Sequence, residues 1–175
     1  MELKDKRIAL LAEDRYQVVE LWYTLLRLRE AGADITVVGR KAKQVHISGR
    51  GYEVTADIGA NEARASDYNA VVIPGGYAPD LMRRNPAMVQ LVKEAYEQGK
   101  IVAAICHAPW MLASAGILRG KRVTSFYSIK DDMINAGAEW IDEPVVRDGL
   151  LVTSRDVSDL PFFCREIISA LQENQ

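Results

Sequence analysis

Short apolar runs alternate along the chain with segments in which apolar residues recur at three- and four-residue steps. The apolar runs predict strands over residues 8–12, 34–39, 70–73 and 101–105. Helical spacing predicts a helix that ends at Gly32 and contains Val18, Leu21, Trp22, Leu25 and Leu28. This alternation of strands and helices indicates a mostly parallel sheet covered by helices.

Further helices are predicted over residues 86–98 and from about Ser158 onward, where Pro161 lies in the first turn. Residues 44–54, which include Gly49 and Gly51, predict a small hairpin. No linker, repeat or low-complexity tract divides residues 1–175, so we expect a single three-layer α/β domain. Ligands of such folds bind beyond the carboxyl ends of the strands. The predicted ends are Glu13-Asp14, Pro74-Gly75-Gly76 and Cys106-His107.

Charge and composition exclude several kinds of partner. The formal net charge of −2 gives no general attraction to nucleic acid, and the basic clusters at 4–7 and 83–84 lack interleaved aromatic residues for base stacking. The longest apolar runs are far shorter than the ~20 residues that span a bilayer. Two cysteines cannot form a disulfide framework. We therefore expect a cytoplasmic protein that binds neither nucleic acid nor membranes.

The strongest chemical signal is the strand 101–105, which runs directly into Cys106-His107 and then into a helix opened by Pro109. A sharp strand-to-helix turn lifts a nucleophile out of the sheet. The adjoining helix N-terminus favours thiolate over thiol, and the thiolate is the reactive form. His107 follows directly and could act as general acid and base. The pattern predicts a nucleophilic Cys106, against the alternative of a small buried cysteine at a strand end.

Two neighbouring elements could assist this cysteine. Gly75 and Gly76 end a strand predicted beside that of Cys106, and their N–H groups, with the amide after Cys106, could form an oxyanion hole. Glu20 lies on the first helix among apolar neighbours and could share a proton with the thiolate. The alternatives are an ordinary tight turn and a solvated helix glutamate.

The other cysteine and histidine are predicted to be outside the chemistry. Cys164 falls on the apolar face of the last helix and is expected to be inert core packing. His46 has no acidic or thiol neighbour in the hairpin and is expected at the surface. Two histidines without paired spacing predict no metal site, and no glycine-rich nucleotide motif is present, so we expect no cofactor.

Several motifs in order resemble the PfpI (ThiJ/PfpI) family of intracellular cysteine proteases. They are the segments 74–80, 104–109 and 129–138, followed by 151–155 and 159–161. The resemblance spans nearly the whole chain. It implies a flavodoxin-like three-layer sandwich of the class I glutamine amidotransferase-like superfamily.

The resemblance also implies roles for individual residues. It implies a reactive Cys106 on the elbow with His107 beside it, and it places the family's thiol-bonded glutamate at Glu20. The family acid that completes a Cys-His-acid triad across a subunit interface falls on Asp80. A homo-oligomer, either a dimer or a hexamer, is therefore expected.

Two classes of function remain open at this point. The first is a hydrolase of the stress response that acts on peptides, or on glycated proteins as a deglycase that repairs glyoxal adducts. The second is a non-catalytic redox sensor or chaperone, in which Cys106 is oxidised to a sulfinic acid. His107 and Asp80 favour the enzyme, because a sensor requires neither.

Overall fold

The computed structural model describes residues 2–174, and a seven-stranded sheet forms their centre. In spatial order its strands are β10 (Val145–Asp148), β11 (Leu151–Ser154), β7 (Ile101–Ile105), β6 (Ala70–Ile73), β1 (Arg7–Leu11), β2 (Asp34–Gly39) and β5 (Ile58–Gly59). Each pair of neighbours is parallel except β10 and β11, which are antiparallel. The predicted mostly parallel sheet is confirmed.

Helices cover both faces of this sheet. They are α1 (Val18–Glu30), α2 (Ala78–Met82), α3 (Pro86–Glu97), α4 (Pro109–Ser114), α5 (Lys130–Asn135) and α6 (Leu160–Glu173). Helix α1 packs against α6, α3 packs against α4, and strand β7 contacts both α3 and α6. The sheet is thus the middle of three layers, as the flavodoxin-like prediction requires.

The central strands explain why the apolar runs predicted them so well. Every residue of β6 and β7 is buried, so these strands read as unbroken apolar runs rather than as an alternation. Helix α1 begins where the Gln17 side chain accepts the N–H groups of Val19 and Glu20, at 2.6 and 3.0 Å. It ends just before Gly32, whose φ of 101° few other residues adopt.

Two small sheets complete the fold. The predicted hairpin is confirmed as β3 (Val45–Ile47) paired with β4 (Glu53–Thr55). The second sheet pairs β8 (Arg122–Val123) with β9 (Glu139–Trp140). Among the described residues, none of the helices combines the length and the apolar character that crossing a membrane would need.

The fold brings three loops together at one edge of the sheet. Strands β7, β6 and β1 are direct neighbours and parallel, so the residues after their carboxyl ends converge. Tyr16 forms a β-bridge with Gly76, and the Gln17 N–H donates to the Gly75 carbonyl at 3.1 Å. The loop after β1 is thereby fixed to the Gly-Gly turn, which lies next to Cys106.

Candidate active site

Cys106 occupies a strained turn between β7 and α4. Its φ is 64°, in the left-handed region that a residue with a side chain rarely adopts. Its N–H donates to the Ser154 carbonyl at 3.0 Å, and its own carbonyl accepts the Phe126 N–H at 2.9 Å. These bonds hold the turn in place from both sides, and the predicted elbow geometry is confirmed.

His107 stands directly beside the thiol. Its Nδ1 lies 3.2 Å from Cys106 Sγ, and its Nε2 lies 3.1 Å from Ser128 Oγ. The ring stacks on Phe126 with the centroids 5.0 Å apart and tilts against Trp110. Burial lowers the pKa of His107, so the ring is neutral near pH 7. A neutral imidazole at this distance can accept the thiol proton.

The backbone amides around the sulfur divide into two groups. The amides of Gly76 and His107 lower the pKa of Cys106, so both lie close to its sulfur. The N–H of Gly75 instead donates to Glu20 Oε2 at 2.7 Å. The predicted oxyanion role of Gly75 is therefore corrected, because its donor is already taken. The two available donors are Gly76 and His107.

Glycine is nevertheless required at position 75. A Cβ atom there would lie 2.7 Å from both Cys106 Cβ and Glu20 Oε2, closer than real contacts allow. Gly76 has a φ of 80°, and a Cβ would lie 2.5 Å from the Gln17 nitrogen. The Gly-Gly turn thus lets α1 and the elbow approach each other closely.

Glu20 projects from α1 toward the Gly-Gly turn and Cys106, and only 1% of its surface is exposed. Its side chain is hydrogen-bonded to Cys106, and burial raises its pKa to about 7. The prediction that Glu20 lies beside the thiol agrees with this geometry. A carboxyl group with a pKa near neutrality can carry a proton into the contact with sulfur.

The expected ease of thiolate formation is not found. Burial, followed by the charge of Glu20, raises the pKa of Cys106, although the amides of Gly76 and His107 act in the opposite direction. Helix α4 has only six residues and provides a small dipole. Together these contributions favour the thiol over the thiolate, so a base beside the sulfur would assist its activation.

Asp80 lies in α2, where its carboxylate pairs with Arg84 one turn later. Within residues 2–174, the hydrogen-bond partners of the His107 ring nitrogens are Cys106 and Ser128. No acid within residues 2–174 therefore completes the expected triad at His107. Ser128 occupies that place and was missed, because it belongs to none of the motifs and comes close to His107 only through the fold.

Cys164 and His46 differ in how well they match expectation. Cys164 is buried in α6 with its Sγ 3.9 Å from Thr24 Oγ1, and burial raises its pKa to about 11, in agreement with a packing role.

His46 was predicted at the surface without acidic neighbours, and that prediction is wrong. Its side chain is fully buried, with Nδ1 3.2 Å from Glu13 Oε1 and 3.5 Å from Asp14 Oδ1. These acids follow β1 and reach the hairpin only in the folded chain.

Comparison with known proteins places this geometry in context. The sequence profile of the DJ-1/PfpI family matches residues 6–170. Deglycase PfpI of Pyrococcus furiosus is 40% identical over 95% of this chain and 99% of its own length. General stress protein 18 of Bacillus subtilis is 38% identical over 96% of this chain and 99% of its own length.

A solved structure from Anabaena variabilis contains a DJ-1/ThiJ/PfpI-like domain and a ferritin-like domain. It is 45% identical, with a TM-score of 0.94, over 95% of this chain. This chain spans about half of that two-domain protein, 48% of its length.

Proposed function

The chain belongs to the DJ-1/PfpI family and is a PfpI-type cysteine hydrolase, and we propose that it acts as a deglycase, with Cys106 as nucleophile and His107 as base. The observation that carries this proposal is the 3.2 Å contact between His107 Nδ1 and Cys106 Sγ on the strained elbow. We further propose that residues 1–175 act as one domain, in the cytoplasm, as part of a stress response.

The first chemical step follows from the positions of the proton carriers. The hemiaminal C–N bond of the adduct breaks as its hydroxyl becomes an aldehyde, and the amine leaves with the hydroxyl proton. Cys106 Sγ then attacks the aldehyde carbon while its proton passes to His107 Nδ1, because the raised pKa of Cys106 favours the thiol and the lowered pKa of His107 favours the neutral imidazole. The developing oxyanion accepts the N–H groups of Gly76 and His107. A proton shift between the two adduct carbons converts the resulting hemithioacetal to a thioester. Water hydrolyses the thioester to a hydroxy acid, and His107 returns its proton to the Cys106 sulfur.

Glu20 is proposed as the partner that adjusts the charge of the sulfur. In its protonated form Glu20 donates to the sulfur and stabilises the thiolate, whereas its ionised form opposes thiolate formation. The Gly75 amide fixes the orientation of the carboxyl group. Glu20 is thus expected to make the reaction faster at the acidic side of neutrality than a Cys-His pair alone.

The size of the cavity next to the His107 and Phe126 rings favours small adducts over peptide chains as substrates. A cavity of about 280 Å³ is bordered by Tyr127, Trp140 and Phe126, and Phe126 stacks on the His107 ring. Ligand pockets for larger molecules run to about 1,000 Å³. A single modified side chain matches this space better than an extended peptide, which supports deglycase over peptidase activity.

The test is a side-by-side activity screen of the wild type and Cys106→Ser. We expect the wild type to release free amine from methylglyoxal-modified amino acids, and Cys106→Ser to lose this activity. Fluorogenic peptides provide the comparison. Cleavage of peptides without deglycation would assign the protein to peptidases, and wild-type inactivity on both would favour the sensor or chaperone alternative.

We also propose that the active unit is a homo-oligomer, either a dimer or a hexamer, in which Asp80 of one subunit meets His107 of another. Asp80 follows the Gly-Gly turn and is partly exposed, with a side chain that is 28% accessible. An acid at Nε2 would orient the imidazole and favour its charged form. Ser128 is the competing partner for the same nitrogen.

Two variants decide between these partners. If Asp80 completes the triad, Asp80→Ala slows Cys106 alkylation and shifts its pH profile, while Ser128→Ala has a smaller effect. Light scattering of the same samples gives the oligomeric state. A monomer in which Asp80→Ala alters neither alkylation nor turnover would leave Cys106 with Glu20, His107 and Ser128 alone.

A further inference from the structure

A second cluster of chemically capable side chains lies where the loop after β1 meets the β3–β4 hairpin. We propose that Glu13 Oε1, Asp14 Oδ1 and His46 Nδ1 bind one divalent transition-metal ion of the Zn²⁺ class. The three residues come from two separate segments of the chain, and one ligand atom of each lies within 4.8 Å of the others. This site is separate from the proposed catalytic residues and does not depend on the proposed function.

The spacing of the three atoms suits a shared ion. His46 Nδ1 lies 3.2 Å from Glu13 Oε1 and 3.5 Å from Asp14 Oδ1. Ligands that each lie about 2.0–2.2 Å from zinc in tetrahedral geometry are separated by roughly 3.3–3.6 Å. The observed distances fall close to that range without any movement of the backbone.

Burial gives independent support for a ligand at this place. His46 is completely buried and Glu13 is 1% exposed. In the described part of the chain, neither ring nitrogen of His46 has a hydrogen-bond partner, because the directions to the nearby carboxylates do not suit an N–H···O bond. A buried polar group without a partner destabilises the folded chain. A metal ion at Nδ1 would remove that cost at one nitrogen.

The surroundings hold the three ligands in position. Arg40 occupies the outer carboxylate oxygens, with Nε 2.9 Å from Glu13 Oε2 and Nη2 3.0 Å from Asp14 Oδ2. The Asp14 and Ile47 N–H groups donate to the inner oxygens, Glu13 Oε1 and Asp14 Oδ1, at 2.8 and 3.0 Å. Each inner oxygen keeps a lone pair, and such outer contacts commonly orient metal ligands.

Gly39, at the end of β2, packs directly against the His46 ring. A Cβ at this position would lie 2.5 Å from His46 Nε2, so only glycine leaves room for the ring. The ring is therefore packed with Nδ1 directed toward the two acids.

Charge and access also agree with a cation. Arg40 supplies one formal positive charge against the two carboxylates of Glu13 and Asp14, so one formal negative charge of the pair is left over. A cavity bordered by Glu13, Asp14, Arg40 and Arg84 opens beside the two carboxylates and offers space for water as a further ligand.

The bound ion would join two segments of the chain, the loop after β1 and the β3–β4 hairpin. Asp14 leads directly into Tyr16 and Gln17, which contact the Gly75-Gly76 turn. Binding would fasten the hairpin to this loop and raise the stability of the folded chain, since any ligand that binds the folded state alone does so.

The test measures Zn²⁺ binding to the full chain carrying Cys106→Ser, so that the active-site thiol does not compete. Equilibrium dialysis with metal analysis should give one Zn²⁺ per chain, and Mg²⁺, which prefers oxygen ligands, should not displace it. Asp14→Asn and His46→Gln should each weaken binding by at least about 10- to 100-fold, the loss seen even for outer-shell contacts. Asp131→Asn, which removes an exposed acid in α5, is the matched control.

A second measurement keeps the proposal testable if His46→Gln, a change at a buried residue, does not fold. The thermal midpoint of the Cys106→Ser chain should rise with Zn²⁺, and that rise should disappear in the partly exposed variant Asp14→Asn. Absence of stoichiometric Zn²⁺ in the Cys106→Ser chain, or binding that Asp14→Asn leaves unchanged, would overturn the proposal.

Discussion

Replacing Glu20 by glutamine tests the electrostatics of the buried contact with Cys106. Glutamine keeps the size of the side chain and can still accept the Gly75 N–H, but it cannot ionise. In the wild type, burial raises the pKa of Glu20 from 4.5 to about 7. The unfolded chain loses this proton near pH 4.5, whereas the folded chain keeps it until about pH 7.

The sign of the effect follows from this difference. Stability that Glu20 contributes is fully present below pH 4.5 and is lost as the pH rises through about 7. A shift of this size corresponds to roughly 3 kcal/mol, at about 1.4 kcal/mol per pKa unit. The unfolding free energy of Glu20→Gln minus that of the wild type should therefore increase by roughly 3 kcal/mol between pH 4.5 and pH 8.

Urea unfolding of both proteins across this pH range measures the difference, at one protein concentration and with reductant present. Glu30→Gln, an exposed change on the same helix, is the control and should follow the wild type at each pH. If the wild type and Glu20→Gln show the same pH dependence, the carboxyl group does not titrate near neutrality. The argument for a protonated Glu20 beside the sulfur would then be wrong.

Three further predictions concern the same site. Iodoacetamide labelling with peptide mass mapping should modify Cys106 before Cys164, which is 1% exposed, and the reverse order would contradict the assignment. Ser128→Ala should lower kcat/KM about threefold to tenfold, because the His107 ring loses a hydrogen bond worth about 1 kcal/mol, and an unchanged value would remove Ser128 from the mechanism. Gly75→Ala should destabilise the fold by about 1–3 kcal/mol through overpacking, and a wild-type denaturation midpoint would refute the close contact.

The parts of the fold that were predictable are those that local pattern determines. Strands β2, β6 and β7 have the predicted bounds, because buried parallel strands consist of continuous apolar residues. Strand β10 was not predicted, since three of its four residues are only partly buried and two of the four carry charged side chains. Its antiparallel pairing at the sheet edge depends on the partner strand rather than on its own composition.

The site was predictable where neighbours in sequence are also neighbours in space. Cys106 and His107 are adjacent along the chain, so the strand-to-helix turn alone brings their side chains into contact. The contacts of Ser128 with His107, and of His46 with Glu13, join segments far apart in the sequence and carry no local signal. The thiol pKa was mispredicted for a related reason. The helix dipole is local, whereas the burial of Cys106 and its closeness to Glu20, which raise the pKa, are products of packing.

The left-handed backbone at Cys106 has a consequence for laboratory evolution of this chain. A side chain in that region costs about 1–2 kcal/mol, a cost that glycine avoids. That strain offsets part of the folding stability that the buried Cys106 side chain contributes by packing. Libraries sorted only for thermal resistance should therefore tolerate glycine at position 106 and drift toward inactive sequences. Libraries sorted for turnover should retain cysteine and acquire compensating mutations elsewhere.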